Sequence, residues 1–164
     1  MLSEKMQGAM NKQINAELHS AYIYLAMAAY FEDKNLPGFA HWMRLQANEE
    51  LGHAMKFFDF IVERRGRVLL EPVAAVPTEW ASPLAVFENA LAHEQKVTGL
   101  INDLVNLAIA EKDHASNSFL QWFVDEQVEE EASADAIVQQ LKMAGDTLVA
   151  LLILDRELGA REAE

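Results

Sequence analysis

The chain has 164 residues, half of them hydrophobic, so it can form one domain that buries about two thirds of its unfolded surface and is not a disordered polymer. Thirteen basic against 26 acidic residues give a formal charge of −13, which argues against nucleic acid as a partner, since phosphate binding needs clustered Lys and Arg, and favours cations. Zero cysteines exclude disulfides, thiolate metal sites and iron–sulfur clusters and fit the cytoplasm, while no apolar run nears a membrane span and the start MLSEKMQGAM lacks a signal-peptide core.

Four long stretches of helical periodicity follow one another. The first, about Lys5 to Asp33, carries Ile14, Glu17, Ala21, Tyr24, Ala28 and Phe31 on steps of three and four. Leu36–Pro37–Gly38 interrupts it. The second, about Pro37 to Arg65, carries Phe39, Met43, Gln46, Glu50, His53, Phe57 and Phe60, and Gly66 behind Arg64–Arg65 reads as its C′ residue. Ser82–Pro83 reads as N-cap and first residue of a third helix reaching about Lys112, with Phe87, Leu91, Glu94, Thr98, Ile101, Val105 and Ala108 as its seam. The fourth, about His114 to Ala144, carries Leu120, Phe123, Gln127, Glu130, Ala134, Ile137 and Leu141. After Gly145 a short helix, about 146–158, is apolar round most of its circumference; with the four-helix seam already filled, its burial is expected between subunits.

Loop lengths give the topology. The first and third connections are short, so those helix pairs are antiparallel neighbours. The middle one, Gly66 to Ala81, has 16 residues and two prolines and reaches roughly 50 Å when extended at about 3.3 Å per residue. A 29-residue helix is about 43 Å long, so this connection can run the length of the bundle and set helix three parallel to helix two. The expected architecture is all-α: a four-helix bundle over about 5–144 with one long crossover and a short fifth C-terminal helix, all within one domain of residues 1–164.

Charged groups stand on the predicted apolar seams. Glu17 to Glu50 is 33 residues and Glu94 to Gln127 is again 33; a shift of 77 carries Glu17 onto Glu94, Glu50 onto Gln127 and His53 onto Glu130. Any one of these acids alone reads as a solvated helix face. Together, on all four seams, they cannot share a dry core without a partner, because unpaired buried charge costs several kcal/mol and neighbouring carboxylates repel. A pair of divalent cations removes both problems. The i, i+3 pairs Glu50-x-x-His53 and Gln127-x-x-Glu130 each project from one helix face toward one centre. Oxygen-rich ligation with one imidazole suits iron or manganese better than copper or structural zinc.

On these residues the chain resembles the ferritin family over essentially its full length, most of all the non-haem bacterial ferritins. The resemblance implies that Glu17, Glu50 and His53 bind the first iron of a di-iron ferroxidase centre, with Glu50 also bridging. Glu94 and Glu130 would bind the second, with Gln127 beside it, and Tyr24 would be the catalytic tyrosine next to the centre. Glu49, Glu126 and Glu129 match a third iron site. Bacterioferritins carry a second Glu-x-x-His on the fourth helix and a haem-ligating methionine after the second helix's metal Glu; this chain has Gln127-x-x-Glu130 and Leu51, so no haem is expected. The implied function is oxidation of Fe(II) by O₂ or peroxide and storage of Fe(III) as oxyhydroxide mineral in a hollow cytoplasmic homo-oligomer of 24 subunits, without nucleic-acid or membrane partners. A non-storage di-iron oxidase or peroxidase of the rubrerythrin kind is the alternative.

Overall fold

Short polar side chains start three of the helices. In the computed structural model, which describes residues 1–163, Ser3 accepts from the Met6 N–H at 3.0 Å, Ser82 from Ala85 at 3.1 Å and Asp113 from Ser116 at 3.1 Å. They open α1 (Glu4–Asp33), α3 (Pro83–Ala110) and α4 (His114–Ala144). The remaining two elements are α2 (Pro37–Glu63) and α5 (Leu148–Gly159).

Helices α1, α2 and α3 end in the same way. In each, a left-handed residue follows the cap and a pair of reversed hydrogen bonds takes up the last carbonyls, as in Gly66 N–H to Ile61 O at 2.8 Å and Arg65 N–H to Val62 O at 2.9 Å. The left-handed positions are Asn35, Arg65 and Lys112. At the end of α2 this differs from the expectation that Gly66 takes the C′ place. Gly66 is needed for space instead: a Cβ there would stand 2.9 Å from both Gln7 Oε1 and Ile61 Cγ2.

The crossover tracks α1. Amides spaced one helical turn apart on its outer face take up crossover backbone: Gln7 Oε1 accepts from Arg67 N–H at 2.8 Å, and Asn11 accepts from Leu69 N–H at 2.8 Å while donating to Arg67 O. Asn15 donates to Glu71 O and Pro72 O, and Trp80 closes the run edge-on against Tyr30 at 5.6 Å. The connection therefore spans the bundle, as its length anticipated.

Two apolar clusters form the interior. One joins Met27 and Phe31 at the end of α1, Phe39 and Met43 at the start of α2, Phe87 at the start of α3 and Val138 and Leu141 at the end of α4. The other joins Met6 and Met10, Phe57 and Ile61, Ile101 and Leu104, and Leu120 and Phe123. This grouping sets α3 parallel to α2 and antiparallel to α1 and α4. Between the clusters lies a polar layer.

Helix α5 rests on its own chain more than expected. Leu154 and Leu158 are buried in the first cluster, whereas Leu148, Val149, Leu152 and Ile153 are exposed and remain free for contacts between subunits. The start of α2 has no capping side chain of its own; Asp155 supplies it, its Oδ1 accepting from Gly38 N–H at 2.8 Å and Phe39 N–H at 3.0 Å. A Cβ at position 38 would sit 1.6 Å from the Asp155 carbonyl oxygen. Gly38→Ala is thus expected to push α5 off α2 and to lower stability by about 1–3 kcal/mol, the usual cost of overpacking, read as a fall in melting temperature. An unchanged melting curve would show that α5 adds little to the fold.

Candidate metal centre

Each helix sends its polar residues into the layer from one face. Glu17 and Tyr24 come from α1, Gln46, Glu50 and His53 from α2, Glu94 from α3, and Gln127 and Glu130 from α4. All eight are buried, Glu17, Glu50 and Glu94 to within 1% of full enclosure. Steps of three, four and seven residues along a 3.6-residue helix keep these groups on the face that packs the clusters above and below. The layer separates the two apolar clusters.

Two groups of ligand atoms lie close enough to hold one ion each. Oxygens of Glu17 and Glu50 and a nitrogen of His53 fall within 4.8 Å of one another, and so do atoms of His53, Glu126 and Glu130. His53 joins the two, with Nδ1 3.2 Å from Glu50 Oε2 and Nε2 3.8 Å from Glu126 Oε1. Glu94 belongs to neither group. It accepts the Tyr24 hydroxyl on Oε1, and the Gln127 amide donates to its Oε2 at 3.2 Å.

Burial is the largest influence on every acid here. It lifts Glu17 to about 7, a rise that the Gln13 amide opposes, and Glu130 to about 8, where the Glu94 charge adds to it. Glu50 is driven well above the usual carboxylate range by burial and then by Glu17, Glu94 and Glu130, and Glu94 also rises. Tyr24 is pushed up by burial and by Glu94, so it stays a protonated donor. Burial, then the Lys56 charge, holds His53 down at about 4, leaving a neutral imidazole fit to bind metal. Among the described residues no N–H or hydroxyl donates to the buried Glu17 Oε2, while the Glu17 carboxyl lies within hydrogen-bonding reach of Glu50. An array that resists ionisation and leaves a carboxylate oxygen without an N–H or hydroxyl donor is stabilised by cations, which replace protons as the counter-charge.

The outer acids are placed differently from one another. Glu126 stands beside His53. Glu49 is held by Arg161, whose Nη2 donates to both its oxygens at 3.0 and 2.9 Å, and Glu129 is exposed and joins neither ligand group. Glu131, next to the layer's Glu130, accepts the Thr98 hydroxyl at 2.5 Å.

Several contributors went unnoticed in the sequence. Gln13 donates to Glu17 Oε1 at 2.8 Å, and Gln46, which the sequence places on the α2 seam without a role, donates to Glu130 Oε2 at 2.7 Å. Gln13 lies one turn before Glu17, an i, i+4 signal that was available. His93 packs edge-on against Tyr24 with centroids 6.4 Å apart, while its Nε2 lies 2.7 Å from the Ser20 hydroxyl. Nothing in the sequence pointed to Arg161, which is 112 residues from its partner.

Residues 7–144 match the family described as Ferritin-like domain. A bacterial non-heme ferritin of Bacteroides fragilis is 48% identical over 98% of this chain and 100% of its own length, and one of Staphylococcus saprophyticus is 42% identical over 98% and 96%. Among solved structures, an open pore ferritin from the hyperthermophilic archaeon Archaeoglobus fulgidus superposes with a TM-score of 0.98 at 56% identity, covering 99% of this chain and 100% of that one. An engineered closed form of the same archaeal ferritin gives 0.99 at 55% identity over the full length of both.

Proposed function

The chain belongs to the ferritin family, and from that premise we infer that it is an iron-storage protein with ferroxidase activity. The observation that carries this reading is the buried acid layer, in which Glu17 Oε2 receives no N–H or hydroxyl and the carboxyl groups favour protons over bare charge. Fe(II) is the substrate. Glu17, Glu50 and His53 would hold the first ion, Glu94 and Glu130 the second, and Glu50 would be shared. Gln127 is neutral and already turned toward Glu94, so the second ion is held less firmly and its product leaves more readily.

Two ions side by side supply two electrons together. With two protons these reduce O₂ to hydrogen peroxide, or peroxide to two waters, leaving two Fe(III). Hard carboxylate oxygens favour that product. Tyr24, fixed on Glu94, would be the catalytic residue that delivers one of these protons to this side of the centre. A third, weaker ion would sit near Glu126 with Glu49 and Glu129; of these three, Glu126 is the one whose part is supported by a ligand grouping, with His53 and Glu130.

The product would be kept as ferric oxyhydroxide inside a cytoplasmic homo-oligomer of 24 subunits. No described helix is long and apolar enough to cross a membrane. Leu51 stands where haem-binding relatives have methionine, so no haem is expected.

An anaerobic Fe(II) titration followed by aeration and sizing tests the reading. At least two tight ions per chain and a ferric mineral that co-elutes with a particle near 440 kDa, 24 subunits of 18.4 kDa, are expected. A dimer that oxidises iron but retains none would instead mark a non-storage oxidase.

A further inference from the structure

Arg161 follows α5 directly and folds back onto α2. Its backbone carbonyl meets His41 Nε2 at 2.8 Å, its guanidinium stacks over Trp42 at 4.8 Å, and its Nη2 forks onto both oxygens of Glu49. Glu49 lines a cleft of about 480 Å³ between α2 and α4, together with His53, Lys56, Trp122, Glu126 and Ala163. His53 and Glu126 in that cleft are two of the three residues grouped as a possible ion site with Glu130.

We propose that Arg161 is a tethered cation that competes with divalent metal for Glu49, and so sets how tightly the centre holds an ion on its α2–α4 side. The proposal rests on the third-ion reading given above. Three observations favour competition over simple structural pairing.

First, Nη2 engages both Glu49 oxygens, so an ion at either one must share that oxygen with the guanidinium or displace it. Second, the grip is incomplete: Arg161 Nη1 is buried with no hydrogen-bond partner among the described residues, so release gives up two hydrogen bonds rather than a saturated network. Third, Glu49 lines the same cleft as His53 and Glu126, two members of the possible ion site. A guanidinium on Glu49 therefore lowers the negative field felt at Glu126 and Glu130, and Lys56, seated over Trp122 at 3.9 Å, adds a second fixed positive charge on the same cleft. An incoming ion meets acids already partly neutralised.

Linkage makes the effect reciprocal: what the guanidinium takes from metal affinity, metal takes from docking of the tail. Since α5 carries Arg161, a movement of α5 would alter ion binding on this side without touching a ligand.

Co(II) calorimetry on the assembled protein tests this. Arg161→Gln should leave the two tight ions unchanged and bind the third on the order of tenfold more tightly, within the usual range of coupling energies. The gain should shrink as salt is raised, because the pair is partly exposed. Glu49→Gln/Arg161→Gln should lose it. Arg161→Lys, which keeps the charge but not the fork, should give a smaller gain and serves if the glutamine variant does not fold. A third ion of equal affinity in wild type and both Arg161 variants would overturn the competition while leaving the third-ion reading intact. No third ion in any of them would overturn both.

Discussion

Glu50→Ala is expected to abolish fast Fe(II) oxidation while raising the melting temperature of the metal-free protein. Glu50 is within hydrogen-bonding reach of Glu17, receives His53 and stands in the field of Glu94 and Glu130. Without it neither proposed ion keeps its shared ligand. The rate should fall by at least about 100-fold, the upper figure for losing even an outer-shell partner of a metal ligand. In the absence of metal the same carboxyl is a liability, buried among like groups. Removing it relieves repulsion but opens a cavity, at about 0.8 kcal/mol for each methylene lost. Glu50→Gln separates the two effects, since it removes the charge and keeps the volume, so it should melt higher than the alanine variant. Stopped-flow oxidation and melting curves in chelator decide this; wild-type kinetics in Glu50→Ala would sink the assignment.

The metal-free protein should lose stability as pH rises from 6.5 to 8.5. Glu17 and Glu130 are raised in the folded state to about 7 and about 8, so their contribution is fully present below the unfolded value of 4.5 and is lost as pH climbs through those folded values. His53 and His93 act in the opposite sense: held at about 4, they contribute above 6.5 and lose that contribution only as pH falls toward 4. Up to about one pH unit above 6.5 the unfolded imidazoles still carry some charge and offset part of the loss; beyond that both are neutral folded or unfolded, and the acids set the slope. A fall of about 5 °C or more is expected for a chain of this size. Saturating Co(II) should flatten or reverse it, because each proton lost frees a ligand. A melting temperature that is flat or rising in chelator would mean the layer is wetter than its burial indicates.

Much of the bundle was legible because one period runs through every seam. Apolar residues at steps of three and four named the helices, and Glu17, Glu50, His53, Glu94, Gln127 and Glu130 stood out because they interrupt that pattern and are buried as it requires. The crossover's length gave its path, although the amide ladder of Gln7, Asn11 and Asn15 that pins it passed unnoticed. Facing was harder. A helix apolar all round has no periodicity to say which side turns inward, so the seating of Leu154 and Leu158 on the first cluster could not be read from α5 alone. Adjacent acids posed the same difficulty. Glu49, Glu126 and Glu129 are equivalent in sequence, yet one is clasped by Arg161, one meets His53 and one is exposed, and a partner so far along the chain leaves no local trace. The left-handed Arg65 was missed because glycine beside it is the commoner occupant of that conformation.

Each apolar cluster draws on all four long helices, and this has a bearing on how the chain leaves the ribosome. At 5–20 residues per second, the stretch from Arg67 to Ala144 takes roughly 4–16 s to synthesise. Throughout that interval the α1–α2 hairpin has half of each cluster in water and its two layer acids, Glu17 and Glu50, ionised and solvated. It can nonetheless dock the next segment to emerge, since Gln7, Asn11 and Asn15 await residues 67–72 and need nothing from α3. The nascent hairpin is in this way strapped along one side before its apolar face is covered, and the later hairpin is delivered to that face already pointing in the right direction.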